Sequence, residues 1–141
     1  MLNAYARSQY QEMQVQTTPG RLVVMLYDGA LRFLHLGLAA LRRGDREAQG
    51  LNLGKAQNII SELLNTLDKR AGALANNLES LYRYSLKQLL IANAEDRGEN
   101  VEEVIRLLCP LRDAWEQAER TLHSSMGSHP DQGAALAGAS R

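Results

Sequence analysis

Between residues 18 and 43 the chain reads T-P-G-R-L-V-V-M-L-Y-D-G-A-L-R-F-L-H-L-G-L-A-A-L-R-R, with apolar side chains pointing in more directions than one helix face requires. Thr18 is a good N-cap, Pro19 suits the first helical position, where its missing N–H costs nothing, and Arg42, Arg43 and Gly44 form a basic last turn and a stop. The pattern predicts one helix of about 24 residues, roughly 36 Å long at ~1.5 Å per residue. At 100° per residue its polar side chains Arg21, Asp28, Arg32 and His35 fall into one narrow stripe. A helix apolar nearly all round is buried on several sides or embedded in lipid, and ionisable groups in mid-span argue against lipid. The other segments are therefore read as wrapping for this one.

Asp45 can cap a second helix to about Lys69, with Leu53, Ala56, Ile59, Ile60, Leu63, Leu64 and Leu67 on one arc. A second strip of the same helix, Gly50, Gly54, Gln57, Asn58, Ser61 and Asn65, is small or amide-bearing and carries no charge. Each glycine costs a helix about 1 kcal/mol against alanine. Close approach of a neighbouring helix backbone, or of a bound peptide, would offset that cost.

A turn at residues 70–72 leads to a third helix ending near Ala94, with Leu74, Leu78, Leu81, Tyr82, Leu86, Leu89 and Leu90 as its core arc. Tyr84 and Ile91, seven residues apart, stack on its far side as a candidate contact patch. Residues 93–99 read as a polar loop, and Asn100-Val101-Glu102-Glu103 resembles a capping box. The fourth helix steps through Val104, Leu108, Leu111, Trp115, Ala118 and Leu122, with a kink expected near Pro110.

Four helices of similar length on short turns predict an all-α, antiparallel up-and-down four-helix bundle over residues 18–122. Residues 1–17 form an arm that is too polar for a core element yet carries Tyr5, Tyr10, Met13 and Val15. Such an arm is either loose or docked across a groove of its own domain. Residues 123–141 are small, polar and unpatterned, and are expected to be a disordered tail.

Composition narrows the function classes. Sixteen basic and sixteen acidic residues cancel, so no long-range field favours nucleic acid or an anionic membrane. The single cysteine, Cys109, permits no internal disulfide and points to a reducing compartment. Residues 1–20 lack signal-peptide character, so a cytosolic protein without membrane insertion is expected. No metal-ligand spacing, paired Glu-x-x-His motif or phosphate-cradling glycine loop is present, and neither a metal, a cofactor nor a catalytic residue is expected. His35 is the one residue that could carry chemistry, as in a histidine phosphotransfer bundle. It lacks the lysine and glycine that closely follow that family's histidine, and an ordinary solvated side chain accounts for it.

Several blocks bear a family resemblance: Tyr10-Gln11, Thr17-Thr18-Pro19-Gly20-Arg21-Leu22, Met25-Leu26-Tyr27-Asp28-Gly29-Ala30, Lys55-Ala56-Gln57-Asn58-Ile59-Ile60, L-E-S-L-Y-R-Y at 78–84, Leu90-Ile91-Ala92-Asn93 and Ala114-Trp115. In order and spacing they resemble the flagellar export chaperone FliS, a family specific for flagellin. The chain departs from the family at Ala71-Gly72-Ala73, where Gly-Gly-Glu is usual, and at Pro110.

The resemblance implies a cytosolic bundle that binds the disordered C-terminal segment of flagellin, prevents premature polymerisation and serves the flagellar type III export gate. It implies that the arm can cover part of the groove, and that Tyr10 takes part in docking to the gate, with Met13 and Val15 beside it on the arm. The candidate client-binding residues are Leu51, Gly54, Gln57, Asn58 and Ser61 on the second helix and Tyr84 and Ile91 on the third. The competing readings are a self-associating bundle, at most a weak homodimer, and phosphotransfer through His35.

Overall fold

The computed structural model describes Ala4 and the backbone of residues 18–139, with side chains to residue 125. Four helices, α1 (Pro19–Arg42), α2 (Arg46–Asn65), α3 (Ala73–Glu95) and α4 (Gly98–Ala139), follow one another, with a 3₁₀ turn at Lys69–Ala71. Each helix packs on its neighbour in sequence, and α4 closes the ring against α1. Arg21 at the start of α1 bonds Glu116 near the middle of α4, whereas Arg42 at its end pairs with Glu102 in the first turns of α4. The two helices are therefore antiparallel, and the up-and-down bundle is the observed architecture.

The ends of α1 follow the local chemistry. The Thr18 hydroxyl accepts from the Arg21 N–H, Pro19 occupies the first turn, and Gly44 takes a positive φ of 78° just beyond the helix. Asp45 caps α2 by accepting from the Ala48 N–H. That helix ends at Asn65, earlier than its apolar pattern suggests. Thr66 Oγ1 donates back to the Leu63 carbonyl and Asp68 accepts from the Arg70 N–H, so local side chains satisfy backbone groups that a longer helix would have paired. Gly72, at φ 67°, then makes the turn into α3, and the departure at Ala71 and Ala73 leaves it intact.

Two expectations for the second half need correction. The polar loop before α4 shrinks to Asp96 and Arg97, because Asp96 itself adopts the left-handed conformation that closes α3. Asn100 is consequently inside α4 and forms no capping box; its amide donates to Gln88 Oε1 of α3 at 2.7 Å. The helix passes through Pro110, which faces solvent, and continues beyond Leu122 into the unpatterned stretch.

The core is built on Tyr27, Leu34, Leu53, Ile60, Leu63, Tyr82, Leu89, Val104 and Leu108, all fully or almost fully buried. Leu74 and Leu90, expected in it, are 61% and 65% exposed. Their arc is wider than one bundle core accepts, and the small residues Ala75, Ser85 and Ala92 take the inward positions of α3 instead. By length and composition α1 could cross a membrane. Here Leu22, Val24, Tyr27, Ala30 and Leu34 are sealed inside the bundle, and Arg21 and Asp28 are paired with α4.

Candidate functional site

The uncharged strip of α2 lies on the flank of that helix turned away from α1. Ile59 and Lys55 mark the α1 side, the first against Gly29 and the second over the Phe33 ring. At 100° per residue Gly50, Gly54, Gln57, Ser61 and Asn65 fall on the other side, toward α3. Gly50, Gly54, Gln57, Asn58 and Ser61 are half-buried, and Leu51 is 51% exposed. A Cβ added at Gly50 would meet nothing within 4 Å, so no neighbouring helix uses the space above it. The close helix approach is elsewhere: a Cβ at Gly37 of α1 would stand 2.5 Å from Leu53 Cδ2.

Buried Gln49 pins one end of this flank. Its amide donates to Asn93 Oδ1 at 3.0 Å and to Asp96 Oδ1 at 3.1 Å, and Arg46 reaches the second Asp96 oxygen. The bond from Gln49, aided by Arg46, holds the Asp96 carboxyl below its ordinary pKa. Lys69 bonds Glu79 of α3 at the other end. Leu90 and Leu86 of α3 lie on the same side as Asn93 and Glu79, so the strip faces an open apolar edge rather than a sealed seam.

Tyr84 and Ile91 occupy the opposite flank of α3. The Tyr84 hydroxyl donates to Glu103 Oε2 of α4 at 2.6 Å, and the nearby carboxylate raises the phenol pKa. The ring is 42% exposed and Ile91 half-buried. Six of the seven candidate residues are thus divided between two surfaces, the α2 strip and the α3–α4 seam, while Leu51 lies toward the Lys55 side of α2. Tyr10, Met13 and Val15 lie outside the described residues.

One feature escaped the sequence reading. A cleft of about 500 Å³ opens where α1 begins, lined chiefly by Pro19, Gly20, Trp115, Ala118, Leu122 and His123. Ala118 and Leu122, expected in the core, are exposed, the latter by 57%. The heptad-like spacing of α4 continues past the level at which antiparallel α1 starts, so its last turns have no α1 surface to meet. That mismatch in length was the available signal. Beside the cleft, Thr18 Oγ1 donates to Glu119 at 2.8 Å, and Arg21 bonds both Glu116 oxygens at 3.0 and 3.2 Å. Arg120 also reaches Glu116, while Arg112 bonds Asp28 at 2.7 Å. The Arg21 bond is the main reason the Glu116 carboxyl titrates below its ordinary range.

His35 is exposed on α1, and the nearest acid of its stripe, Asp28, is engaged by Arg112. Among the described residues no group of three His, Cys, Asp or Glu side chains could hold a metal ion. The arrangement offers binding surfaces: half-buried, uncharged or apolar, and distributed round the bundle.

A sequence model of the family described as flagellar protein FliS matches residues 1–122. The chain belongs to the FliS family. It is 40% identical over 110 residues to the flagellar secretion chaperone FliS of Bacillus subtilis, covering 77% of this chain and 82% of the relative. Against the protein of the same name from Salmonella typhimurium it is 37% identical over 118 residues, 82% of this chain and 87% of the relative. The Vibrio cholerae protein of that name is 31% identical over 124 residues, 87% and 91% of the two chains.

Proposed function

We propose that the chain is a cytosolic export chaperone that holds the disordered C-terminal segment of flagellin, prevents its premature polymerisation and delivers it to the flagellar type III export gate. The observation that carries this reading is the open space over Gly50 on an uncharged, half-buried strip beside exposed Leu90. An extended client backbone can approach such a strip closely and hydrogen-bond Gln57, Asn58 and Ser61, while its apolar side chains cover the leucine edge. Tyr84 and Ile91 form a second grip across α3. A client that orders on binding buries on the order of 1,000–3,000 Å² and loses roughly 2–5 kcal/mol in ordering, which favours separated grips over one deep pocket. No covalent step or nucleotide takes part. Residues 1–17 join α1 at Thr18, beside the Trp115 cleft, and covering of that cleft by the arm in the client-free protein is part of the proposal.

The test is titration calorimetry with the C-terminal segment of flagellin from the same organism, at two temperatures. Saturable one-to-one binding with a large negative heat-capacity change is expected. No binding at tens of micromolar, with a mass that grows with concentration, would replace the chaperone reading by self-association.

A further inference from the structure

The seam between α1 and α2 carries a surface of which the client reading claims only Leu51. Phe33 of α1 is partly buried there, with Arg32 Cζ 5.7 Å and Lys55 Nζ of α2 5.3 Å from its ring centroid. The electron-rich faces of the ring attract both cations, and the two distances keep them within about 11 Å of each other. Among the described residues neither has a carboxylate partner, whereas most other cations of this neutral chain sit in ion pairs. Asp28 is taken by Arg112, and Glu47 and Glu62 stand about two helical turns from Lys55 on either side.

Apolar side chains continue the band. Leu36 lies one turn beyond Phe33 on α1 and Leu51 one turn before Lys55 on α2, and both are exposed. The contacts of Gly37 with Leu53 and of Phe33 with Lys55 fix the antiparallel register that brings these positions together. Leu51 belongs with this band more than with the strip, since it lies on the Lys55 side of α2.

We propose that the Arg32–Phe33–Lys55 band, extended by Leu36 and Leu51, docks an acidic amphipathic helix of a protein partner. Carboxylates one or two turns apart on that helix meet the two unpaired cations, and its apolar face covers Phe33 and the leucines. The surface lies on the α1 flank of α2, so a client on the strip toward α3 leaves it free.

The experiment uses the full chain and a dye-labelled synthetic helical peptide with glutamates at every fourth position beside a leucine face, followed by fluorescence anisotropy. A matched peptide with glutamine in place of glutamate is the control. Saturable, salt-sensitive binding of the glutamate peptide is expected, weakened about tenfold in the Arg32→Gln/Lys55→Gln variant. Lys55→Gln alone, with circular dichroism unchanged, should show an intermediate loss. Amide shifts on peptide addition should concentrate at residues 32–36 and 51–55. Equal binding of the glutamine peptide, unchanged binding by the double variant, or displacement of the peptide by the flagellin segment would each overturn the proposal.

Discussion

Tyr27 Oη and Tyr82 Oη lie 2.5 Å apart in the centre of the bundle, joining α1 to α3 across its diagonal. Both residues are buried, their rings 6.4 Å between centroids and tilted by 50°. The pair thus places a polar contact between two helices among mainly apolar core neighbours such as Leu34, Ile60 and Leu89.

Removing one hydroxyl leaves the other with fewer partners away from water. Tyr82→Phe should therefore destabilise the bundle by about 1–3 kcal/mol. Tyr27→Phe/Tyr82→Phe should cost less than the sum of the single changes, since no orphaned hydroxyl remains between them. Urea denaturation of the three variants measures this coupling; strict additivity would mean that the bond contributes nothing beyond packing.

The same pair makes a prediction for alkaline pH. Burial is the main cause that raises both phenol pKa values above the ordinary 10.0. Above pH 10 the unfolded chain releases these protons while the folded chain keeps them, so the unfolded state binds fewer protons and stability falls as pH rises. Tyr27, the more strongly shifted of the two, contributes a slope approaching about 1.4 kcal/mol per pH unit while its folded form keeps the proton and the unfolded phenol has lost it. Denaturation midpoints at pH 9 to 11 should fall steeply for the native chain and less for the double phenylalanine variant.

The bundle was legible because burial on a helix repeats every three or four residues, and Leu53, Ala56, Ile60 and Leu63 obey that period. Where boundaries failed, a side chain outcompeted the pattern: Thr66 and Asp68 ended α2 early, and Asp96 in a left-handed turn displaced the Asn100 cap. Periodicity also says which residues share a face but not how far a partner helix extends. Leu122 therefore fits the core pattern although α1 begins below it. The chemical character of the α2 strip was visible in sequence; that Gly50 has open space and Gly37 has none depends on interhelical distance.

That contrast gives a paired prediction. Gly37→Ala would place a Cβ 2.5 Å from Leu53 Cδ2 and 3.3 Å from its backbone nitrogen, so the gain in helix propensity is outweighed by overpacking. A net loss of about 1–2 kcal/mol is expected. Gly50→Ala meets nothing and should stabilise the fold by about 0.5–1 kcal/mol. Thermal melts of both variants decide it; equal effects of the same sign would contradict the packing.

The second grip can be separated from the first. Tyr84→Ser/Ile91→Ser should weaken the flagellin segment about tenfold or more, as expected when two contact side chains are truncated. Tyr84→Phe keeps the ring and loses only the bond to Glu103, so it should retain most of the affinity. If the double serine variant binds as the native chain does, the client does not use the α3–α4 seam.

Trp115 is the one tryptophan in the chain and it lines the cleft at the start of α1, which makes its fluorescence a direct report on that cleft. If residues 1–17 cover the cleft in the client-free protein, deleting them should expose the indole, shift its emission to longer wavelength and increase quenching by acrylamide. The bundle itself should stay intact, because Thr18 and Pro19, which start α1, are retained and the core residues are untouched. Adding the flagellin segment to the full chain should increase quenching if the client displaces the arm and leaves the cleft open. It should decrease quenching in the deleted chain if the client itself enters the cleft. Identical quenching of the native and deleted chains would place the arm elsewhere, while leaving the strip and the Tyr84 grip to be judged by their own variants.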